Sequence, residues 1–169
     1  MKNSNIDNIR HSLSHLLAAA VIKKYPDAKL GIGPVIDNGF YYDFLFASPI
    51  SDTDLKDLEK EIRSLITKKI KFEREEISLA EAKKLFKDQP FKIELAEEYA
   101  QEGQELSVYR SGDFVDLCNG PHVENSSEIN PDGFKLTKLA GAYWRGDENK
   151  AQLTRIYGVA FESKKELAD

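Results

Sequence analysis

The sequence predicts an α+β fold of mostly antiparallel strands with helices packed on one face, built around a central helix that carries two histidines one turn apart. Three observations carry that expectation. Apolar residues recur at helical spacing near the N-terminus. The stretch "DNG" at residues 37–39 is a hairpin signal between two apolar runs. Strand-like runs then return through the second half of the chain.

Residues 5–24 read as the first helix, with Ser4 or Asn5 as its cap and Pro26 closing it just past Tyr25. Ile6, Ile9, Leu13, Leu16, Leu17 and Ala20 share one face. At about 100° per residue, His11 and His15 point nearly the opposite way, beside Ala18, Ala19 and Ile22. The helix is therefore expected to be covered on both sides, with the histidines in a niche floored by alanines. Residues 29–46 read as two strands joined at Asn38-Gly39, the first broken by Gly31, Gly33 and Pro34.

Ser51, with Asp54 three residues on, opens a second amphipathic helix that runs to Lys69. Its apolar stripe holds Leu55, Leu58, Ile62, Leu65 and Ile66. Residues 70–77 alternate as a strand, and Ser78 with Glu81 caps a short helix ending near Lys87. Residues 88–104 start at "DQPFK" and continue as a short acidic helix. Strand signals follow at 105–118, then a loop over 119–133, then two strands at 134–145 and 152–161. The last residues, 163–169, begin another helix.

With 169 residues, 41% of them hydrophobic and 31% charged, the chain has the composition of an ordinary globular domain. No apolar run approaches the ~18 residues that a membrane span needs, and "MKNSNIDNIR" is too polar for a signal peptide. A single cysteine forms no internal disulfide, which points to the cytoplasm. The net charge of −5 argues against a general nucleic-acid coat protein. Charge is unevenly spread, however: residues 93–133 hold ten acidic side chains and one basic one, whereas 134–157 hold five basic and two acidic. Lys135, Lys138, Arg145 and Arg155 in that second stretch form a basic edge able to meet phosphates, the alternative being an ordinary solvated strand pair.

Two spacings stand out. His11 and His15 are four residues apart, and so are Cys118 and His122. Two His on one helix turn plus a Cys and a His can complete a zinc tetrahedron, though four protein ligands leave no open position for catalysis. The glutamate of a metalloprotease H-E-x-x-H motif is missing. Alternatively Cys118 is a nucleophile with a histidine as base, or a binding group beside water activated near Asp116. The bland alternative is a buried cysteine and satisfied core histidines, although burying several imidazoles without partners is costly.

The blocks "HSLSHLLAAAV", "GPVIDNGFYYDF", "PFKIEL", "VDLCNGPHV", "FKLTKLAGAYWRGD" and "LTRIYGVAF" resemble, in order, the second N-terminal, editing domain of bacterial threonyl-tRNA synthetases. A more distant resemblance is to the editing domains of alanyl-tRNA synthetases and their free-standing homologues. The resemblance implies an editing domain over residues 1–162, with a small α/β subregion around 51–104, and a linker helix starting at 163–169. Family members usually carry a small domain before this one, and catalytic and anticodon-binding domains are expected after it.

The implied activity is hydrolysis of mischarged seryl-tRNA(Thr), with His11, His15, Lys92, Asp116, Cys118 and His122 at the family's functional positions. One histidine would orient water, Lys92 would face the oxyanion or ribose, and Asp116 would hold the substrate ammonium. Cys118 and His122 would shape the side-chain pocket or relay protons. The tRNA acceptor end would run over Lys135, Lys138, Tyr143 and Arg145, with Tyr143 or Trp144 stacking on the terminal adenine and Trp144 the better core candidate. The resemblance implies editing without a metal; zinc, if present, would sit on His11, His15, Cys118 and His122. The implied partners are tRNA(Thr) carrying serine, the other synthetase domains and a second full-length copy in a homodimer, with no membrane. The alternatives are a zinc-dependent free-standing hydrolase and a non-catalytic tRNA-binding module.

Overall fold

A computed structural model describes residues 5–168. Its elements alternate as an α+β chain. Helix α1 is Asn5–Lys24, the bounds read from the sequence; a cap at Ser4 lies outside the described residues. It is covered nearly all round, because Leu13, Leu16 and Leu17 on one side and Ser14, His15 and Ala18 on the other are all buried. A helix apolar on one face only could not sit this way.

Strands β1 (Lys29–Leu30), β2 (Val35–Ile36) and β3 (Gly39–Leu45) follow. β1 and β2 lie end to end along β3, which is the expected first strand broken where Gly31, Gly33 and Pro34 stand. Gly33 is required there, since a Cβ would enter the Tyr42 ring. The reversal uses Asp37-Asn38, one residue earlier than the sequence implied, with Asn38 at φ 63°. Gly39 instead opens β3, and its missing side chain leaves room for the Gly158 carbonyl on the next strand.

Helix α2 (Asp52–Thr67) starts where the sequence places it, with the Ser51 backbone N–H donating to Asp54 Oδ2 at 2.8 Å. Strand β4 (Phe72–Ile77) leads to helix α3 (Leu79–Leu85), whose cap is the reciprocal Ser78–Glu81 pair. Helix α4 (Pro90–Gln101) opens on a proline in its first turn. The strand run at 105–118 is in fact a hairpin: β5 (Leu106–Ser111) and β6 (Phe114–Leu117) turn at Gly112-Asp113, with Gly112 at φ 63°. Strands β7 (Phe134–Tyr143) and β8 (Gln152–Ala160) and helix α5 (Lys164–Ala168) complete the described chain.

Two antiparallel sheets result. One runs β1-β3-β8-β7, with β2 also on β3; the other is β4-β5-β6. α1 and α2 pack with the first sheet through Leu13, Leu17, Leu58, Ile62, Phe40, Phe44 and Ile156. α3 and α4 cover the second sheet through Ala82, Phe86, Ala96, Leu106 and Val108. A third cluster of Phe91, Leu95, Trp144 and Leu153 joins α4 to the end of β7 and β8. No helix among the described residues is long and apolar enough to cross a membrane.

Candidate active site

The site forms where α1 meets the end of β6. Cys118 follows β6 directly, its N–H bonded to the Ser107 carbonyl at 3.0 Å. The chain then folds over at Gly120, whose φ of 85° favours glycine and whose Cβ position the Tyr109 ring already fills. That bend returns the segment 121–123 to α1. The Pro121 carbonyl accepts from His11 Nδ1 at 2.9 Å, and the Val123 N–H donates to Ser12 Oγ at 3.0 Å. Ser12 Oγ also lies 3.0 Å from His122 Nδ1.

Because a carbonyl only accepts, His11 carries its proton on Nδ1 and turns the Nε2 lone pair inward. His11 Nε2 and His122 Nε2 both lie 3.4 Å from Cys118 Sγ, and the Gly120 N–H reaches the same sulfur at 3.2 Å. The His11 and His122 rings stack at 4.0 Å, and His15 meets His122 edge-on at 4.2 Å. So two pairs more than 100 residues apart in sequence share one cluster.

Behind His15 lies a buried polar chain. α4 delivers Lys92: Gln89, just before the helix, accepts from the Leu30 N–H at 2.7 Å, which ties the helix start to the sheet edge. Lys92 Nζ lies 2.7 Å from Asp116 Oδ1. The Tyr42 hydroxyl donates to Asp116 Oδ2 at 2.6 Å, and His15 Nε2 is 3.5 Å from the same oxygen. Lys92, Tyr42 and Asp116 are at most 2% exposed. His15 Nδ1 is buried with no partner among the described residues.

Burial sets the protonation states. It lowers the pKa of His11, and lowers those of His15 and His122 much further, the neighbouring imidazoles adding to the effect in the last two. Burial also pushes the Cys118 thiol up to about 12 and the Tyr42 phenol well above its ordinary value. Three neutral imidazoles therefore surround a neutral thiol at pH 7. A thiol so far from ionising is a poor nucleophile, so burial disfavours attack by Cys118 on a carbonyl even with two imidazole nitrogens 3.4 Å from its sulfur.

The same four side chains can hold a metal. Each offers a ligand atom within 4.8 Å of the others. The 3.4 Å sulfur–nitrogen separations approach the roughly 3.5 Å edge of a tetrahedron built on zinc–sulfur and zinc–nitrogen bonds. His11 and His122, neutral and braced at Nδ1 by the Pro121 carbonyl and Ser12 Oγ, present Nε2 in the form that a metal takes. An ion held by all four would be a closed, structural centre that also draws the proton from the thiol.

Next to the cluster, a cavity of about 220 Å³ is lined by Ile32, Gly33, Pro34, Ser107, Cys118 and Asn119, among others. Ser14 fixes one wall through a 2.9 Å bond to the Gly33 carbonyl. Lys135 and Lys138 are exposed on β7 and line neither this cavity nor the cluster, Lys138 lying 4.9 Å over the Tyr157 ring. Arg145 is held by Glu94 and Glu98 of α4, and Arg155 by Asp43 at 2.8 and 3.0 Å. The basic edge expected from sequence is thus largely neutralised at its arginines. Trp144 is 3% exposed, packed on Phe91, and gives its indole N–H to Glu94, so it offers no stacking face.

Sequence reading passed over Tyr42 and Ser12. Tyr42 carries a readable signal: it alternates with Phe40 and Phe44 on an inward strand face, where a tyrosine hydroxyl must find a partner. Ser12 carries none beyond its place between the histidines.

Residues 106–157 match the family described as the threonyl and alanyl tRNA synthetase second additional domain. A threonine–tRNA ligase of Borrelia garinii subsp. bavariensis is 48% identical over 158 residues, covering 94% of this chain and 27% of that protein. Those of Treponema pallidum and Dehalococcoides mccartyi are 48% identical over 166 residues, covering 98% of this chain and 28% of each relative. The chain spans little more than a quarter of the length of these relatives. The chain is therefore similar to threonine–tRNA ligases over nearly its whole length, and its residues 106–157 match the second additional domain of the threonyl and alanyl tRNA synthetases.

Proposed function

We propose that this chain is the proofreading module of a threonine–tRNA ligase and hydrolyses the serine ester of seryl-tRNA(Thr) by water attack. Serine lacks one methyl group of threonine, and a contact of that size separates two substrates by only ~1–3 kcal/mol. A second, smaller chamber that admits serine alone supplies the missing discrimination. The observation that carries this reading is the convergence of His11, His15, Cys118 and His122 beside a small cavity whose wall includes Cys118.

Within it, His11 is the least buried of the three imidazoles and orients the attacking water. Cys118 sizes the side-chain chamber. Asp116 has three protein partners, so it and Lys92 act as positioning residues that hold His15 and Tyr42, in place of direct contact with the ammonium and the oxyanion. The partners are the acceptor end of tRNA(Thr) and the remaining synthetase domains, in a homodimeric full-length enzyme of the cytoplasm.

Single alanine replacements at His11, His15, Lys92, Asp116 and Cys118 test the assignment through release of serine from Ser-tRNA(Thr). His11→Ala is expected to lose about 100-fold in rate, in the range of one positioned acid–base group, and Cys118→Ala to lower the rate by loosening the fit around the serine side chain, both while keeping their thermal unfolding midpoint. Five variants that deacylate like the parent would remove the site from the reaction.

The four-donor cluster favours a second reading, in which zinc supports the same hydrolysis. Stoichiometric zinc in protein purified without chelator, with activity lost on chelation, selects it. A parent chain that binds tRNA but releases no serine selects a non-catalytic module.

A further inference from the structure

A second cavity, of about 440 Å³, opens beside the first, between α4 and the turn that joins β7 to β8. Ile32 and Tyr99 line both cavities, so the two share a wall. A substrate strand whose end lies in the first has the second as its next chamber. Its polar lining is Asp43, Glu98, Arg145 and Arg155, and its aromatic lining includes Tyr41 and Tyr143.

The charges there are already paired. Arg145 Nη2 donates to Glu98 at 2.7 Å, and Arg155 grips Asp43 with two bonds. A phosphate would find no unopposed cation. What the chamber offers is a donor and an acceptor side by side, on the partly exposed Arg145–Glu98 pair. That arrangement matches a base edge that carries an exocyclic amine next to a ring acceptor: the carboxylate accepts from the amine and the guanidinium donates to the ring. A keto base at the same place would set its carbonyl oxygen against the carboxylate.

Flat surfaces are present as well. Tyr143 is 43% exposed, and the Arg155 guanidinium lies 3.8 Å from the Tyr41 ring centre, forming a stacked plane. Arg145 itself holds a left-handed backbone, φ 57°, a conformation that is costly for a non-glycine residue and tends to persist where a site uses it.

We propose that this chamber takes the base of the nucleotide preceding the terminal adenosine of the tRNA, and reads it as cytosine through Glu98 and Arg145. The proposal rests on the proofreading reading above. It makes the penultimate cytidine part of what positions the ester.

The test uses this chain with CpA, UpA and adenosine as ligands, followed by the fluorescence of Trp144, the single tryptophan, which borders the chamber. CpA is expected to bind about 10-fold or more tighter than adenosine, as one stacked and hydrogen-bonded base would give, with UpA well behind CpA. The gain should survive added salt, because no phosphate contact supplies it. Tyr143→Ala should weaken CpA and UpA alike, whereas Glu98→Ala should remove the preference for CpA over UpA. Equal binding of CpA and UpA, or no gain over adenosine, overturns the proposal. Because these ligands carry no aminoacyl ester, failure of the two readings can be told apart. A chain that prefers CpA yet leaves seryl esters intact refutes proofreading alone. One that hydrolyses seryl-adenosine but gains nothing from cytidine refutes this inference alone.

Discussion

Replacing Lys92 with methionine is expected to cost about 3–5 kcal/mol of folding free energy, the usual penalty when one partner leaves a buried ion pair. Lys92 is 2% exposed and Asp116 0%, so the carboxylate left behind has no water to turn to. It keeps the Tyr42 hydroxyl and His15, but a neutral imidazole and a phenol do not replace an ammonium at 2.7 Å. A loss of that size is a large part of the roughly 5–15 kcal/mol that holds a typical domain together. Urea unfolding of Lys92→Met measures it, and the double variant Lys92→Met/Asp116→Asn should recover part of the loss by removing the stranded charge. A single variant within 1 kcal/mol of the parent would mean that Asp116 does not depend on Lys92.

Acid should unfold the metal-free protein earlier than its carboxylates alone would. All three histidines have folded-state pKa values below the ordinary 6.5, with burial the leading cause. Above pH 6.5 the imidazoles are neutral folded or unfolded, and their titration changes nothing. Below it the unfolded chain takes up protons that the folded cluster refuses, so stability falls as pH falls. His15 and His122 contribute fully and His11 less, which gives a loss of roughly 2.5–3.5 kcal/mol between pH 7 and 5.5. Urea unfolding across that window reads the slope directly. His122→Asn should flatten it by about one proton. Stability that stays level from pH 7 to 5.5 would show that the imidazoles are not neutral and buried together.

Much of the fold was readable because its signals are local. The bounds of α1 follow from helical spacing and Pro26, and the capping pairs Ser51–Asp54 and Ser78–Glu81 start α2 and α3 where expected. Two turns were misread for a physical reason. In "DNG" the residue with positive φ is Asn38, while Gly39 is needed for the close approach of Gly158, so the glycine marks a contact instead of the reversal. In 105–118, Gly112-Asp113 turns the chain inside a run rich in strand formers, which hides a tight hairpin.

The site divides along the same line. Spacing singled out His11 with His15 and Cys118 with His122, the place of Asp116 beside Cys118 drew it in, and resemblance added Lys92. The pairing of the basic edge was not legible: Arg145 meets Glu94 and Glu98 some fifty residues away, and Arg155 meets Asp43 across more than a hundred. Such pairs depend on which elements become neighbours, and composition along the chain does not record that.

The most direct measurement is a crystal structure of this chain with a serine amide of 3′-amino-3′-deoxyadenosine, which keeps the shape of the ester but resists hydrolysis. The serine side chain is expected in the cavity against Cys118, the carbonyl carbon within one water of His11, and the adenosine leading toward Ile32. An analogue bound on another face, with the imidazole cluster untouched, would contradict the assignment of catalysis to this site.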